Sequence, residues 1–434
     1  MYRLRMTSAP RHISRAIEPR YAFRRNSAVR LFNGLIMARG VGHPVQAPGT
    51  LEIGWFPSPA LKFRIEAFVA GTPEFLLSVR GAVAPVEAGY TEARESFPRG
   101  ISYTAGSLHQ PMRRGREDVL DAVIFHVANF PAFRGSPVAR PKIDNARLSI
   151  SADGWHIDLD CVSKIEDTIK GLRAEGGFAL THVGRLSRSD GSTFTADAAF
   201  DAVDSVAQLL SFGRSALCWP FAMVGLDAAK RVVWRTYDRP NVAPWRNELR
   251  WFTPADPAGL GRAFDGIRRR WQDPHQRDVL KRAIYLLGDA SARGVEPGLI
   301  IAQAILELMA WELIVNETRA VSGGGFGTLT AADQMRLLLT SLGIPTAIPP
   351  ALSDLVTYAK ANSGLDGPDV LTNIRNRWAH PPRKGPLRTV GPEQVGAWQL
   401  ALWYADLVLL HWLGFTGRYA PRVWPGTVED VPWS

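Results

Sequence analysis

Three residues near the C-terminal end of the chain, Arg375, Asn376 and His380, have the types and spacing that phosphodiester chemistry without a metal needs. A histidine near its ordinary pKa of about 6.5 can take and return a proton at neutral pH. A guanidinium beside it can hold a phosphate and stabilise the charge that accumulates during transfer. In the run VLTNIRNRWAHPPRK, Val370 to Lys384, the residues Val370, Ile374 and Trp378 recur every fourth position and are predicted to face a core, which turns Arg375, Asn376 and Arg377 away from it. Asn376 and His380 then share a face, and Arg375 lies about a quarter-turn away. Pro381 disfavours helical geometry at His380 and so places the imidazole at a helix exit. Between 370 and 392 there are five basic residues, Arg375, Arg377, Arg383, Lys384 and Arg388, and no acid. Arg377, Arg383 and Lys384 are therefore candidates for contact with a nucleic-acid backbone. The plain alternative is a cation at the negative end of a helix dipole beside a histidine satisfied by backbone.

The elements that position this run read as helices near 257–271, 275–292, 297–319, 330–342, 350–362, 367–379 and 392–414. LIIAQAILELMAWELI, 299–314, is apolar on nearly every side, as a central helix is. Its acids Glu307 and Glu312 are placed either to support Arg375 or to form structural ion pairs within the bundle. Before this region, from 47 to 253, short β-branched and aromatic runs broken by Gly, Pro, Asp and Ser predict strands. Hairpins are expected at 148–160, 178–200 and 221–237, with one helix at 202–212. The periodicity changes between 245 and 260, so a separable domain boundary is expected there.

The Arg-polar-x-x-x-His run, late in a helical region and followed by Pro381 and one long last helix, resembles the HEPN superfamily over about residues 270–415. The resemblance implies an up-and-down helical bundle that pairs as a homodimer through the helical domain, with two motif copies meeting. It also implies a metal-independent endoribonuclease of bacterial defence or toxin character, which cleaves RNA, tRNA or mRNA, by attack of the ribose 2′-hydroxyl. By it Arg375 and His380 carry over as catalytic and Asn376 as the polar residue after the arginine. The two-part layout is similar to ApeA-like abortive-infection proteins. Two other readings stand beside this one: a non-catalytic HEPN dimerisation scaffold, and a ligand- or carbohydrate-binding β-rich module with a helical adaptor.

The expected fold class is α+β overall, a β-rich antiparallel N-terminal domain followed by an all-α bundle. The expected divisions are an Arg-rich, disordered leader at 1–40, a β-rich sensor or regulatory domain at 41–253, helices at 254–420 and a tail at 421–434. Of the net charge of +10, residues 1–40 carry nine Arg against one Glu, so the remainder is nearly neutral. Met37 is the expected true start. With only Cys161 and Cys218, neither a disulfide framework nor a zinc site is implied. No metal and no cofactor is expected, and a cytoplasmic setting without a membrane is. The most apolar stretch near the C-terminus, 395–415, is interrupted by Gln399, Asp406 and His411 and reads as a buried bundle helix. The Gly323–Gly327 run lacks the strand and the Lys-Ser/Thr of a phosphate-cradling loop and reads as a flexible connector. Trp219, Trp234, Trp245 and Trp251 are either core or a ligand surface. A second Arg-x4-His spacing, Arg270 and His275, reads as chance.

Overall fold

The computed structural model describes residues 13–39, 44–67, 75–79, 82–86, 91–96, 101–108, 110–140, 143–247, 249–379 and 390–433. The fold is α+β, with two antiparallel sheets first and helices after them. The first sheet has seven strands, β1 (Val29–Arg39), β2 (Val45–Gly54), β3 (Ala60–Ile65), β4 (Phe75–Val79), β5 (Ala82–Val86), β6 (Thr91–Ser96) and β7 (Ile101–Leu108), in the order β5-β4-β1-β2-β3-β7-β6. The second has eight: β8 (Met112–Gly115), β9 (Ala122–Ala128), β10 (Ser136–Ala139), β11 (Ile143–Ala152), β12 (Trp155–Cys161), β13 (Leu180–Arg188), β14 (Phe221–Leu226) and β15 (Val232–Tyr237), in the order β10-β11-β12-β13-β9-β14-β15-β8. Two helices, α1 (Ile165–Glu175) and α2 (Ala196–Arg214), are inserted between its strands.

β9, AVIFHVA, is buried at every position, because it lies inside the sheet with both faces covered. Val123, Phe125 and Val127 face the helices, whereas Ile124, His126 and Ala128 face the N-terminal segment and the first sheet. The β11–β12 hairpin turns at Asp153 and Gly154, both with positive φ, which suits the turn to the twist of the strands. The predicted 221–237 hairpin is β14–β15. The predicted 178–200 hairpin does not form. After β13 the chain bridges through Phe194 to Leu120 and enters α2, which starts at Ala196 with Thr195 as its cap. α1 was not legible as a helix: only Ile165, Ile169 and Leu172 mark its inner face, and its N-cap, Lys164, supplies no side-chain bond.

The helices that follow are α3 (Gly259–Trp271), α4 (Pro274–Ala292), α5 (Val295–Ala310) continuing into a π-helical segment (Trp311–Glu317), α6 (Gly323–Gly327), α7 (Ala331–Ser341), α8 (Ser353–Ala361), α9 (Gly367–Ala379) and α10 (Pro392–Trp412). α5 packs against α4, α7, α9 and α10, which makes it the central helix that its composition predicts. Val295–Glu317 is, among the described residues, a helix long and apolar enough to cross a membrane, but most of it is buried in the protein. α10 is likewise largely buried. The glycine run is not a flexible connector. It forms the short α6, capped by Ser322, with Phe326 buried edge-on against Trp311.

Three expectations about organisation change. The leader is structured from residue 13 onward: Ile17, Tyr21 and Phe23 cover Ile124, Leu180, Val183 and Val224, and Val29, Leu31, Phe32 and Ile36 of β1 are core. Its backbone is fixed as well, by Ile17 N–H on Asp160 (2.8 Å) and Arg20 N–H on His126 (3.0 Å). Met37 lies inside β1, so a chain started there would lose most of that strand. The stretch 421–433 is no tail, since Arg422, Val423 and Val431 are buried. The segment between β15 and α3 buries Val242, Trp245, Trp251 and Phe252, and one apolar core runs without interruption from Leu120 through the helices to Val431. The eight-stranded sheet and the helices are fused, not joined by a linker.

Candidate functional site

α9 is held at its N-terminal end by charge. Arg336 of α7 reaches Asp366 with two nitrogens (2.8 and 2.9 Å), Asp369 (2.7 Å) and Asp333 (2.5 Å). Burial opposes ionisation of Asp366, but hydrogen bonds from Arg336 and from the Asp369 backbone outweigh it and hold its carboxyl below the usual range. Gly367 lies so close to the Tyr404 hydroxyl and the Thr346 carbonyl that a Cβ there would come within 2.3 and 2.8 Å of them. The first turn of α9 is thereby seated against α10.

From this anchor Val370 and Ile374 are buried, as the four-residue spacing predicts, and so is Leu371, while Asn376 and Arg377 are exposed and Arg375 is half-buried. Arg375 donates from one terminal nitrogen to Asn376 Oδ1 at 3.0 Å, and its buried Nε has no hydrogen-bond partner among the described residues. The Arg377 guanidinium lies 5.2 Å over the ring of Tyr358 on α8. The Trp378 side chain, His380, Pro381, Arg383, Lys384 and Arg388 lie outside the described residues. Among the described contacts Glu307 accepts from Gln303 (2.8 Å), and none joins it to Arg375. No group of three or more His, Cys, Asp or Glu side chains suited to a metal occurs among the described residues.

The spacing Arg270–His275, read as chance, marks two structural pairs. His275 Nε2 lies 2.8 Å from the buried Glu312 carboxylate, which also accepts from Asn316 at 2.6 Å. That hydrogen bond and charge raise the pKa of the exposed His275 imidazole. Arg270 pairs with Glu317 (2.6 Å) and caps α10 through the Trp412 carbonyl. The π-helical segment, which supplies Glu312, Asn316 and Glu317, has no signature in the sequence.

A larger feature escaped the sequence reading. A cavity of about 730 Å³ opens between α2 and the β14–β15 end of the second sheet. Of the four tryptophans singled out above, Trp219 lines it; Trp234, Trp245 and Trp251 are buried in core. Asp238 at its wall accepts from Ala222 N–H (3.1 Å) and the Thr236 hydroxyl (3.3 Å), and burial pushes its carboxyl up to about 6. No local motif could announce it, because its residues come from four separate stretches of chain.

Comparison with known proteins matches two separate stretches of the chain. Residues 115–248, the second sheet from β9 onward with α1 and α2, match the YopA central domain, and residues 273–431, the helices from α4 onward, match the YopA C-terminal domain. The seven-stranded sheet lies outside both matches. No solved structure matches the chain. Over 342 residues, 76% of this chain and 76% of its relative, the sequence is 28% identical to the SPbeta prophage-derived uncharacterized protein YopA of Bacillus subtilis (strain 168), so through its centre and its C-terminal part the chain is similar to YopA.

Proposed function

We propose that the chain is a metal-independent endoribonuclease of the HEPN type, acting in the cytoplasm of a bacterium in defence or as a toxin. The observation that carries the reading is the side-chain bond between Arg375 and Asn376 on the outer flank of α9, opposite a face given wholly to Val370, Leu371 and Ile374. That flank leaves a guanidinium where an RNA phosphate can reach it, and His380 follows in sequence one residue after Ala379, the last residue of α9. In this mechanism His380 takes the proton from a ribose 2′-hydroxyl as its oxygen attacks the adjacent phosphorus. Arg375 stabilises the charge on the phosphorane oxygens, and the 5′-oxygen leaves with a proton, giving a 2′,3′-cyclic phosphate and a 5′-hydroxyl. Arg377, Arg383 and Lys384 track the RNA backbone, and a second subunit, joined through the helical part, completes the cleft. The prophage origin of the Bacillus subtilis relative is in keeping with a role in conflict between phage and host.

The test is cleavage of total cellular RNA by purified protein in EDTA, with His380→Ala and Arg375→Ala beside wild type, together with growth on induction. Cleavage that survives EDTA and is abolished by either substitution, with unchanged circular dichroism, is the expected result. Cleavage that needs a metal, or toxicity equal in all three proteins, refutes the reading and leaves the helical part a scaffold.

A further inference from the structure

We propose that the cavity between α2 and the β14–β15 end of the second sheet is a binding site for a guanine nucleotide, with the base inside and the phosphate at the rim. The site is independent of RNA cleavage at α9.

Its volume of about 730 Å³ is in the range that holds a ligand of this size. The lining combines three chemistries. The first is apolar and flat: Trp219 and Phe200 with Val203, Ala207 and Met223. Phe200 is itself fixed, edge-on to Trp234 and with the Arg113 guanidinium 4.0 Å over its ring. Such walls bury the faces of a planar ring and leave little for a polyol whose hydroxyls project around its edge.

The second chemistry is a set of hydrogen-bond acceptors at the wall, Asp204 and Asp238. Asp204 uses one oxygen for Lys281 of α4 (2.5 Å), while its other, Oδ1, is buried without a partner. Asp238 accepts two bonds from its own sheet and has no cation partner among the described contacts. Ionised carboxylates only accept, so the complementary ring edge must present donors. The guanine edge offers an imino N–H beside an amino group, two adjacent donors for one carboxylate, whereas adenine sets its single amino group beside an acceptor.

The third is charge at the mouth. Arg239 is exposed and makes no ion pair among the described contacts, whereas Arg113 is already engaged by Asp197 at 2.9 Å. Arg239 is thus the free guanidinium for a phosphate, which it can hold through two parallel N–H bonds.

Calorimetric titration of the full chain with GMP, guanosine, AMP and maltose separates these contributions. GMP is expected to bind, with guanosine weaker and AMP and maltose weaker still by at least tenfold. Trp219→Ala should weaken GMP and guanosine alike, by about tenfold for the lost stacking surface. Arg239→Ala, at an exposed position that no described contact uses, should weaken GMP about tenfold and leave guanosine unchanged. The inference is overturned if GMP shows no binding at millimolar concentration, if AMP or maltose binds as well as GMP, or if both substitutions bind GMP as wild type does.

Discussion

Arg422→Met is the substitution that most directly tests whether the C-terminal stretch locks the two halves of the molecule together. Arg422 and Asp406 face each other with side chains only 1% exposed, Nε on one carboxylate oxygen at 2.5 Å and a terminal nitrogen on the other at 3.1 Å. The remaining N–H groups reach the Leu249 carbonyl (2.6 Å) in the β-to-α connection, Ser291 (3.3 Å) in α4 and Ser215 (2.7 Å) at the end of α2. Burial raises the Asp406 pKa even against the attraction of Arg422, so the carboxylate depends on that one cation. Methionine keeps most of the side-chain volume and removes every donor, leaving a buried charge uncompensated. Breaking a buried pair in this way costs about 3–5 kcal/mol. With an unfolding entropy of about 2.1 cal/mol/K per residue, this chain gains about 0.9 kcal/mol/K on melting, so Tm should fall by about 3–6 °C. The second arm is Asp406→Leu/Arg422→Met, which removes both charges and should recover most of the loss. Urea and thermal unfolding of wild type, the single and the double variant provide the measurement. A single variant within 1 °C of wild type, or a double variant no better than the single, would show that the clamp is not an energetic coupling between the halves.

Acid should destabilise the protein. Burial holds His126 near pKa 4 and His182 near 3, below the 6.5 of the unfolded chain, so the unfolded state takes up protons first as pH falls; the stability due to each neutral imidazole is whole above about 6.5 and is lost on the way down to its folded pKa. Asp238, raised to about 6, works the other way and gains at most about 2 kcal/mol between pH 6 and 4.5, against about 2.5 kcal/mol lost by each histidine, for a net loss of about 3 kcal/mol from pH 7 to 4.5 in urea midpoints; a flat profile contradicts it. Gly367→Ala should cost about 1–3 kcal/mol in the same assay, because the new methyl meets Tyr404 and Thr346; an unchanged midpoint would mean that α9 is not seated as described. A chain started at Met37 forfeits Val29, Leu31, Phe32 and Ile36, a loss of more than about 6 kcal/mol of burial, and should be recovered in inclusion bodies where the full chain is not; equal soluble yield and equal Tm would refute the docking of the N-terminal segment.

Several helices were legible through boundary chemistry or apolar spacing of their own. Asp273 before Pro274 and Thr330 before Asp333 cap α4 and α7 at the positions that their residue types announce, and α9 spans 367–379 as its apolar spacing predicts. The pairing of Arg375 with Asn376 follows from adjacency and from the core claim of Val370 and Ile374. The cavity at Trp219 was illegible for the opposite reason: Asp204 in α2 and Asp238 after β15 are 34 residues apart, and what brings both to one cavity is the sheet order β9-β14-β15 beneath α2, which is a property of the whole fold.

The Arg-rich leader misled through composition. Averaged over residues 1–40 its nine arginines resemble a solvated tail, but binding to a sheet needs only an apolar or hydrogen-bonding group every few residues, and Ile17, Tyr21, Phe23 and Asn26 supply that while the arginines between them point outward or pair across the surface, as Arg25 does with Glu175. The same reasoning explains the missed fusion of the two halves. A change of periodicity marks where strands give way to helices, yet it says nothing about whether their apolar faces meet. Here they do, because Arg268 at the inner side of α3 takes Asp153 from the β11–β12 turn (2.6 Å) and Asp201 from α2 (3.4 Å), and Trp271, one turn on, donates to the same Asp201 at 2.8 Å. Asp153, at a hairpin turn, and Asp201, on the flank of α2, are thus the partners of a cation buried between layers. Leaving Arg268 without them would strand its charge, so the sheet and the helices are expected to unfold in one transition, and probes placed in each should report the same midpoint.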